Sequence, residues 1–216
     1  MITTIIFDMD GTVLNTLEDL HDSIDYILRR YDMPVRTLDE TRRFVGNGIR
    51  RAIELSCPEG TSSETVDRMT EEFIPYYDAH CLDKTGPYEG ILGLMKTLKD
   101  AGYKLAIVSN KVDSAVKELT ESFFGDYVTV SIGERPGVKR KPAPDTVYMA
   151  LEELGSTAEE SVYIGDSDVD LATAQNSGLP CISVLWGFRD RELLESLGAT
   201  HFAETPDEIP GILKTL

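Results

Sequence analysis

The segment Thr3-Thr4-Ile5-Ile6-Phe7-Asp8-Met9-Asp10-Gly11-Thr12 joins a short run of β-branched and aliphatic residues to two aspartates. A continuous run of this kind, without polar alternation, is typical of a strand that is buried on both faces of a parallel sheet. Three other runs have the same character and a fourth is weaker. They are Lys104–Val108, Ser161–Ile164 and Cys181–Leu185, and the weaker Tyr127–Ile132.

Residues with helical spacing lie between these runs, from Val112 to Phe123 and from Val147 to Leu154. Because strands and helices alternate along the chain, we expect helices to cover both faces of one sheet. We therefore predict an α/β fold with a doubly wound, Rossmann-like parallel sheet.

Between Gly11 and Gly86 the pattern changes, because no strand-like run occurs there. One apolar stripe with helical spacing extends from Leu17 to Tyr31, and another extends from Val66 to His80. We interpret this region as an all-helical cap domain that is inserted after the first strand. The predicted boundaries are residues 15–82 for the cap, and residues 1–14 together with 83–216 for the core.

The composition excludes several classes of function. The 216 residues include 38 Asp and Glu against 21 Lys and Arg, so the formal net charge is −17 at pH 7. Such an excess would repel the phosphate backbone of nucleic acids and the surface of anionic membranes. The three cysteines have no paired spacing, and no apolar run is long enough to span a bilayer. We expect a cytoplasmic protein that is a monomer or a homodimer.

The predicted strands end in residues that can carry chemistry. Asp8 and Asp10 follow the first run, Ser109 and Asn110 follow Lys104–Val108, and Asp166 follows Ser161–Ile164. In an open parallel sheet these carboxyl ends lie along one edge, where ligands bind. Carboxylates brought together there repel one another unless a cation lies among them, and an all-oxygen site suits Mg²⁺. We therefore predict Mg²⁺ as the cofactor.

One basic segment interrupts this acidic chain, and it contains Arg135, Lys139, Arg140 and Lys141. The stretch after Lys141 leads into a predicted helix, whose first turn supplies N–H donors and a favourable dipole for an anion. A metal ion, a lysine and helix N-termini at one edge of the sheet would bind a phosphate group. We predict a small phosphorylated metabolite as the partner.

Four motifs follow one another along the chain, namely DMDGT at residues 8–12, VSN at 108–110, KPAPD at 141–145 and GDSDVD at 165–170. In this order they resemble the four motifs of the haloacid dehalogenase-like hydrolase superfamily, and the helical insertion is similar to that family's cap. Two further stretches, FVGNGI at 44–49 and WGFR at 186–189, resemble the phosphoglycolate phosphatase group.

The resemblance implies a role for each core residue. Asp8 would be the nucleophile that forms an aspartyl-phosphate, and Asp10 would be the general acid and base. Mg²⁺ would be held by Asp8, the backbone carbonyl of Asp10 and Asp166. Other residues would bind the phosphoryl oxygens or support the site. These are Ser109, the N–H of Asn110 and Lys141 for the phosphoryl group, and Asp170 and Thr12 in supporting positions.

The resemblance also implies a Mg²⁺-dependent phosphatase that hydrolyses a small phosphate monoester, with phosphoglycolate as the first candidate. Substrate choice would lie in the cap, which would close over the core. The candidate substrate residues are Arg43, Asn47, Gly48 and Arg50. We interpret Trp186 and Arg189 as structural residues, with Arg189 at the start of a helix.

Several alternatives use the same motifs. A sugar-phosphate mutase of the β-phosphoglucomutase type, or a pyrophosphatase, would need the same Asp8 and Asp10. A phospho-acceptor signalling domain would be shorter and would lack the helical insertion. An inactive relative that only binds a partner would not be expected to retain Asp8, Asp10, Ser109, Lys141 and Asp166 together.

Overall fold

The computed structural model describes all residues, Met1–Leu216. Two compact units divide the chain; one comprises Met1–Leu14 and Pro87–Leu216, and the other comprises Asn15–Gly86. The strands are β1 (Thr4–Phe7), β2 (Leu14–Asn15), β3 (Gly86–Pro87), β4 (Lys104–Val112), β5 (Val130–Glu134), β6 (Ser161–Gly165), β7 (Cys181–Val184) and β8 (His201–Ala203). The α-helices are α1 (Leu17–Arg30), α2 (Leu38–Phe44), α3 (Ile49–Ser56), α4 (Ser63–His80), α5 (Ile91–Asp100), α6 (Asp113–Phe124), α7 (Asp145–Leu154), α8 (Asp168–Ser177), α9 (Arg191–Ser196) and α10 (Ile209–Leu213).

The larger unit is built on a six-stranded sheet with the order β5-β4-β1-β6-β7-β8. Every neighbouring pair in it is parallel. This arrangement confirms the predicted α/β fold class with a parallel sheet. The edge strand β8 was not predicted, because three residues are too short to produce a recognisable apolar run.

The central strand β1 is buried on both faces. Ile5 and Phe7 belong to the apolar cluster on one side of the sheet, and Ile6 belongs to the cluster on the other side. Helix α5 contributes Leu94 to the first cluster, and helix α7 contributes Val147 to the second. Successive side chains of a strand point to opposite faces, so a continuous apolar run is what a sheet covered by helices on both sides requires. Packing on both faces holds the residues that follow β1 in place.

Strand β4 is longer and less regular than the apolar run predicts. It pairs with β5 at Val108 and again at Val112, and the register shifts between these two residues. The stretch 109–111 therefore lies in an irregular part of the strand instead of after its end. Val112, predicted as the first residue of a helix, is the last residue of β4, and β5 begins at Val130 instead of Tyr127. Tyr127 instead donates its N–H to the Phe124 carbonyl in the turn that ends α6.

The smaller unit contains the four helices α1–α4, which pack on one another. The rings of Tyr26 on α1 and Tyr76 on α4 stack with their centroids 3.7 Å apart. The buried Asp19 carboxylate accepts the backbone N–H groups of Lys84 and Thr85, which ties the end of this unit to its first helix. None of the helices in the chain combines the length and apolar character that crossing a bilayer would require.

Candidate active site

Three buried carboxylates meet at the carboxyl edge of the sheet. Asp8 follows β1, Asp166 follows β6, and Asp170 lies in the first turn of α8. Each offers one oxygen, and these three oxygens lie within 4.8 Å of one another. Like charges at this distance raise the free energy of the folded protein unless cations compensate them. The cluster therefore defines a site that requires positive charge.

Lys141 supplies one of these cations. Its ammonium lies 2.7 Å from Asp8 Oδ1 and 2.7 Å from Asp170 Oδ1, and it donates to the hydroxyl of Tyr163 at 3.0 Å. Only 2% of the Lys141 side chain is exposed to solvent. The amide of Asn110 donates to the Lys141 carbonyl at 3.1 Å, so the loop before α7 is attached to β4 at this point. A buried lysine with two carboxylate partners is a positioned charge, unlike a solvated surface lysine.

The pKa values around Lys141 follow from burial and charge. Burial raises the pKa of Asp8 well above its usual range, and the nearby Asp170 carboxylate raises it further, against the opposing effect of Lys141. Burial disfavours the charge on Lys141, but Asp170 and Asp8 outweigh burial and raise the pKa of its ammonium well above the ordinary value. Burial also opposes ionisation of Asp170, but the attraction of Lys141 prevails and lowers its pKa. Lys141 and Asp170 therefore form the stable ion pair of the cluster.

Asp166 is held by two hydrogen bonds from different parts of the chain. The Thr12 hydroxyl donates to Oδ1 at 2.9 Å, and the backbone N–H of Phe188 donates to Oδ2 at 2.7 Å. Burial, with a further contribution from the charge of Asp170, raises the pKa of Asp166 to about 7, and these two hydrogen bonds oppose the rise. A carboxyl group with this pKa gains most from a cation that stabilises its charged form.

Protein donors occupy both oxygens of Asp170. Oδ1 accepts from Lys141 and from the Tyr163 hydroxyl, and Oδ2 accepts the N–H and the hydroxyl of Ser167 in the capping box of α8. Each oxygen therefore already has two donors. Asp8 and Asp166 retain more free acceptor capacity, and their hard oxygen atoms match the ligands that divalent cations such as Mg²⁺ prefer. The three aspartates could hold a metal ion, with Asp8 and Asp166 as its better ligands.

The side chain of Asp10 lies outside this triad. Its carboxylate forms an ion pair with Lys111 at 3.0 Å, and the Ser109 hydroxyl lies 3.5 Å from its other oxygen. The Lys111 side chain is 8% exposed and that of Asp10 is 17% exposed. Ser109 also accepts the backbone N–H of Lys111 at 3.1 Å. The irregular stretch of β4 therefore holds Asp10 beside Ser109, the residue predicted to bind the phosphoryl group.

Residues 5–184, which include all four motifs and the whole aspartate cluster, match the model of the haloacid dehalogenase-like hydrolase family. The chain belongs to the haloacid dehalogenase-like hydrolase family.

Named relatives of this haloacid dehalogenase-like hydrolase are similar over most of its length. It is 31% identical over 205 residues to a phosphoglycolate phosphatase of Mesorhizobium japonicum, which covers 92% of this chain and 90% of the relative. It is 30% identical over 217 residues to a phosphoglycolate phosphatase of Caulobacter vibrioides, covering 99% and 91% of the two chains. The family and these relatives together identify a phosphatase that resembles phosphoglycolate phosphatases.

Solved structures of similar proteins share the fold of this chain. A candidate phosphoglycolate phosphatase from Lactobacillus delbrueckii subsp. bulgaricus superposes with a TM-score of 0.93 at 37% identity, covering 98% of each chain. A candidate β-phosphoglucomutase from Thermotoga maritima superposes with a TM-score of 0.72 at 21% identity, covering all of both chains. At that identity the second likeness concerns the fold alone.

The haloacid dehalogenase-like site also contains residues that the sequence analysis missed. Tyr163 lies in the buried strand β6 and carries a polar hydroxyl group. Lys111 directly follows Ser109 and Asn110. A buried tyrosine hydroxyl needs a hydrogen-bond partner, and this requirement is the one sequence signal that could have identified Tyr163. Lys111 offered no signal, because a lysine after a strand is usually solvated.

The prediction that Arg189 starts a helix is wrong. Helix α9 begins at Arg191 with Asp190 as its N-cap. Arg189 instead donates its Nε–H to Asp168 at 2.8 Å, and its side chain is 12% exposed. Arg189 therefore lies before α9 and forms an ion pair with Asp168 in the first turn of α8.

The four candidate substrate residues all lie in the helical unit of this hydrolase. Arg43 forms an ion pair with Asp39. Arg50 donates to Asp67 at 2.7 Å and to the Ser63 hydroxyl at 2.7 Å. Asn47 and Gly48 form the turn between α2 and α3, and Gly48 has a φ of 75°. Within this unit both guanidinium groups therefore have local acidic partners.

Proposed function

We propose that the chain is a Mg²⁺-dependent phosphatase that hydrolyses a small phosphate monoester through an aspartyl-phosphate on Asp8. The observation that carries this proposal is the position of the Lys141 ammonium, 2.7 Å from Asp8 Oδ1 and buried with it. A carboxylate nucleophile needs a fixed positive group beside it, because the phosphoryl group that it attacks is itself an anion.

The first step is attack by an Asp8 oxygen on phosphorus. A new bond forms between that oxygen and phosphorus, and the bond from phosphorus to the leaving alkoxide breaks on the opposite side. The Lys141 ammonium and the Ser109 hydroxyl would bind the non-bridging oxygens, whose charge is spread over the transferring group. Burial and hydrogen bonds already hold both groups in place. Lys141 would redirect one of its three N–H groups, which face Asp8, Asp170 and the Tyr163 hydroxyl, to a phosphoryl oxygen.

Asp10 would transfer the protons. In the first step its carboxylic acid gives a proton to the departing alkoxide, which leaves as an alcohol. In the second step the resulting carboxylate takes a proton from water, and the hydroxyl attacks phosphorus and releases Asp8 and inorganic phosphate. The position of Asp10 outside the triad supports this division of roles, because its carboxylate is not occupied by the charges that surround Asp8.

Mg²⁺ would be held by the carboxylates of Asp8 and Asp166 together with the backbone carbonyl of Asp10. When bound, the metal ion supplies positive charge that neutralises the transferring phosphoryl group. Asp170 would act on the site through Lys141, since four protein donors already occupy its oxygens.

Phosphoglycolate is the first candidate substrate. Two relatives at least 30% identical, each matched over nine-tenths or more of both chains, are named phosphoglycolate phosphatases. Arg43, Asn47, Gly48 and Arg50 of the helical unit stay predictions for the recognition of the leaving group.

The test is release of inorganic phosphate from a panel of phosphate esters in Mg²⁺, by the natural protein and by Asp8→Asn. The matched control is Asp207→Asn, which changes an exposed carboxylate in the same unit. We expect hydrolysis of phosphoglycolate, no measurable turnover by Asp8→Asn and unchanged turnover by Asp207→Asn.

Two results would reject parts of the proposal. Wild-type turnover by Asp8→Asn would exclude Asp8 as the nucleophile. Conversion of a sugar 1-phosphate to the sugar 6-phosphate, in place of release of free phosphate, would identify a mutase. The panel therefore includes a sugar 1-phosphate, and pyrophosphate for the other alternative.

A further inference from the structure

The segment Trp186–Arg189 follows β7 and contacts both the loop after β1 and the residues that follow the neighbouring strand β6. The indole N–H of Trp186 donates to the Thr12 carbonyl at 2.9 Å. The next contact is the Phe188 N–H on Asp166 Oδ2 at 2.7 Å, and the last is the ion pair of Arg189 with Asp168 at 2.8 Å. One short segment is therefore attached to both sides of Asp166.

Two glycines enclose the same oxygen of Asp166. A Cβ atom at Gly11, whose φ is +88°, would lie 2.5 Å from Asp166 Oδ2, and a Cβ atom at Gly187 would also lie 2.5 Å from it. A side chain at Gly187 would collide with the Gly11 carbonyl oxygen as well. A side chain at either position would force its neighbours to shift, so the Asp166 carboxylate packs closely against the backbone of both glycines.

We propose that the segment Trp186–Arg189 is a positioning element for the metal site, which holds Asp166 against Gly11 so that its carboxylate is oriented before a cation binds. The inference rests on the proposed Mg²⁺ site. The backbone of Gly11 and Gly187 and the N–H of Phe188 enclose Oδ2 of Asp166. Oδ1 accepts a hydrogen bond from the Thr12 hydroxyl. The orientation of a metal-binding carboxylate depends on such outer contacts, and their loss typically weakens metal affinity.

The sequence alone indicates only a structural role for Trp186 and Arg189. A purely structural role would require the segment to pack against the core and nothing more. The contacts instead converge on Asp166 and on the backbone that carries Gly11 and Thr12. Loss of these contacts should therefore change metal affinity more than it changes the stability of the fold.

The experiment measures Mg²⁺ binding to the full chain by isothermal titration calorimetry, without substrate. The variants are Gly187→Ala, which adds the colliding methyl group, and Trp186→Phe, which keeps an aromatic ring and removes the N–H. The control is Leu194→Ala, which opens a cavity in the separate apolar cluster beneath α9 and lowers stability away from the site. Thermal unfolding in EDTA is recorded for all of them.

We expect the Mg²⁺ dissociation constant to rise about 10–100-fold in Gly187→Ala and by a smaller factor in Trp186→Phe. Leu194→Ala should melt at a lower temperature and bind Mg²⁺ as the natural protein does. Trp186 is the single tryptophan of the chain, so its fluorescence in the natural protein gives a second measure of Mg²⁺ binding.

The inference is overturned if Trp186→Phe and any folded Gly187→Ala bind Mg²⁺ like the natural protein, or if Leu194→Ala weakens binding equally. It is also overturned if the natural protein binds no Mg²⁺. A natural protein that binds Mg²⁺ but hydrolyses no phosphate ester would contradict the proposed function alone, since the inference is judged on the dissociation constants.

Discussion

The Lys141 ammonium and the Asp8 carboxylate lie 2.7 Å apart in an environment from which solvent is almost excluded. Lys141 shares its charge with Asp170, so one buried cation serves two buried anions. With Asp166 included, the cluster has more negative than positive groups unless a proton or a metal ion is added. The metal-free cluster is therefore short of positive charge.

Replacement of Lys141 by Met should destabilise the metal-free protein. The change leaves Asp8 and Asp170 buried without their cation, which typically costs about 3–5 kcal/mol. We also expect phosphatase turnover to fall about 10²–10³-fold, because the transferring phosphoryl group loses the fixed positive charge that would stabilise it. Urea unfolding in EDTA and steady-state kinetics measure the two effects.

The matched control for Lys141→Met is Lys117→Met. Lys117 forms an ion pair of the same length with Asp113, but its side chain is 57% exposed. An exposed pair of this kind contributes at most about 1 kcal/mol. If the two variants unfolded at the same urea concentration, the buried charge of Lys141 would not stabilise the fold more than an exposed one.

Replacement of Tyr163 by Phe tests the hydroxyl that bridges Lys141 and Asp170. That hydroxyl lies 3.0 Å from Lys141 Nζ and donates to Asp170 Oδ1 at 3.1 Å. Its loss should cost about 1 kcal/mol of unfolding free energy, since the ion pair itself remains. Tyr148→Phe, at a side chain that is 49% exposed, should change nothing measurable. An unfolding free energy unchanged by Tyr163→Phe would show that the hydroxyl bridge does not stabilise the protein.

Replacement of Lys111 by Met should slow catalysis. The ion pair with Lys111 determines where the Asp10 carboxylate lies, and a misplaced general acid or base lowers the rate of the chemical step. We expect kcat to fall about tenfold with KM nearly unchanged, and Lys111→Arg to recover most of the loss because it keeps the charge. A rise in KM at constant kcat would instead assign Lys111 to substrate binding.

The affinity for Mg²⁺ should depend on pH below about 7. The pKa of Asp166 is raised to about 7 from an ordinary value of 3.8, so at lower pH a proton occupies a ligand of the proposed site. For one competing proton the dissociation constant should rise about tenfold per pH unit below the pKa and level off above it. Calorimetry across this range measures the effect, and a flat profile would contradict it.

The same raised pKa affects the stability of the metal-free protein. Between pH 3.8 and about 7 the folded chain retains a proton on Asp166 that the unfolded chain has released, so stability falls as the pH rises through this window. The raised pKa of Asp8 acts in the same direction. Asp170 has a lowered pKa, so the stability that it contributes is lost only when the pH falls below this window. Thermal unfolding in EDTA should show the decline, and Asp166→Asn should reduce it.

The amino-acid sequence by itself determined the parallel sheet and the edge that carries the site. Thr3–Phe7 and Ser161–Ile164 are apolar on both faces, and only a sheet covered on both sides can bury such runs. Once those strands are parallel, Asp8 and Asp166 must follow them at one edge. The order of the four motifs also indicated the family, because local sequence carries that information without reference to contacts.

Only the tertiary structure decided which side chains meet. Three contacts join different strands, helices and loops. They are the pairing of Lys111 with Asp10, the bridge of Tyr163 between Lys141 and Asp170, and the enclosure of Asp166 by Gly187. Local spacing cannot predict such contacts, since they depend on the shift of register in β4 and on the contact of the loop after β7 with Asp166. Arg189 shows the limit most clearly. The sequence was interpreted as placing it at the start of a helix, but it lies before α9 and forms an ion pair with Asp168 in the first turn of α8.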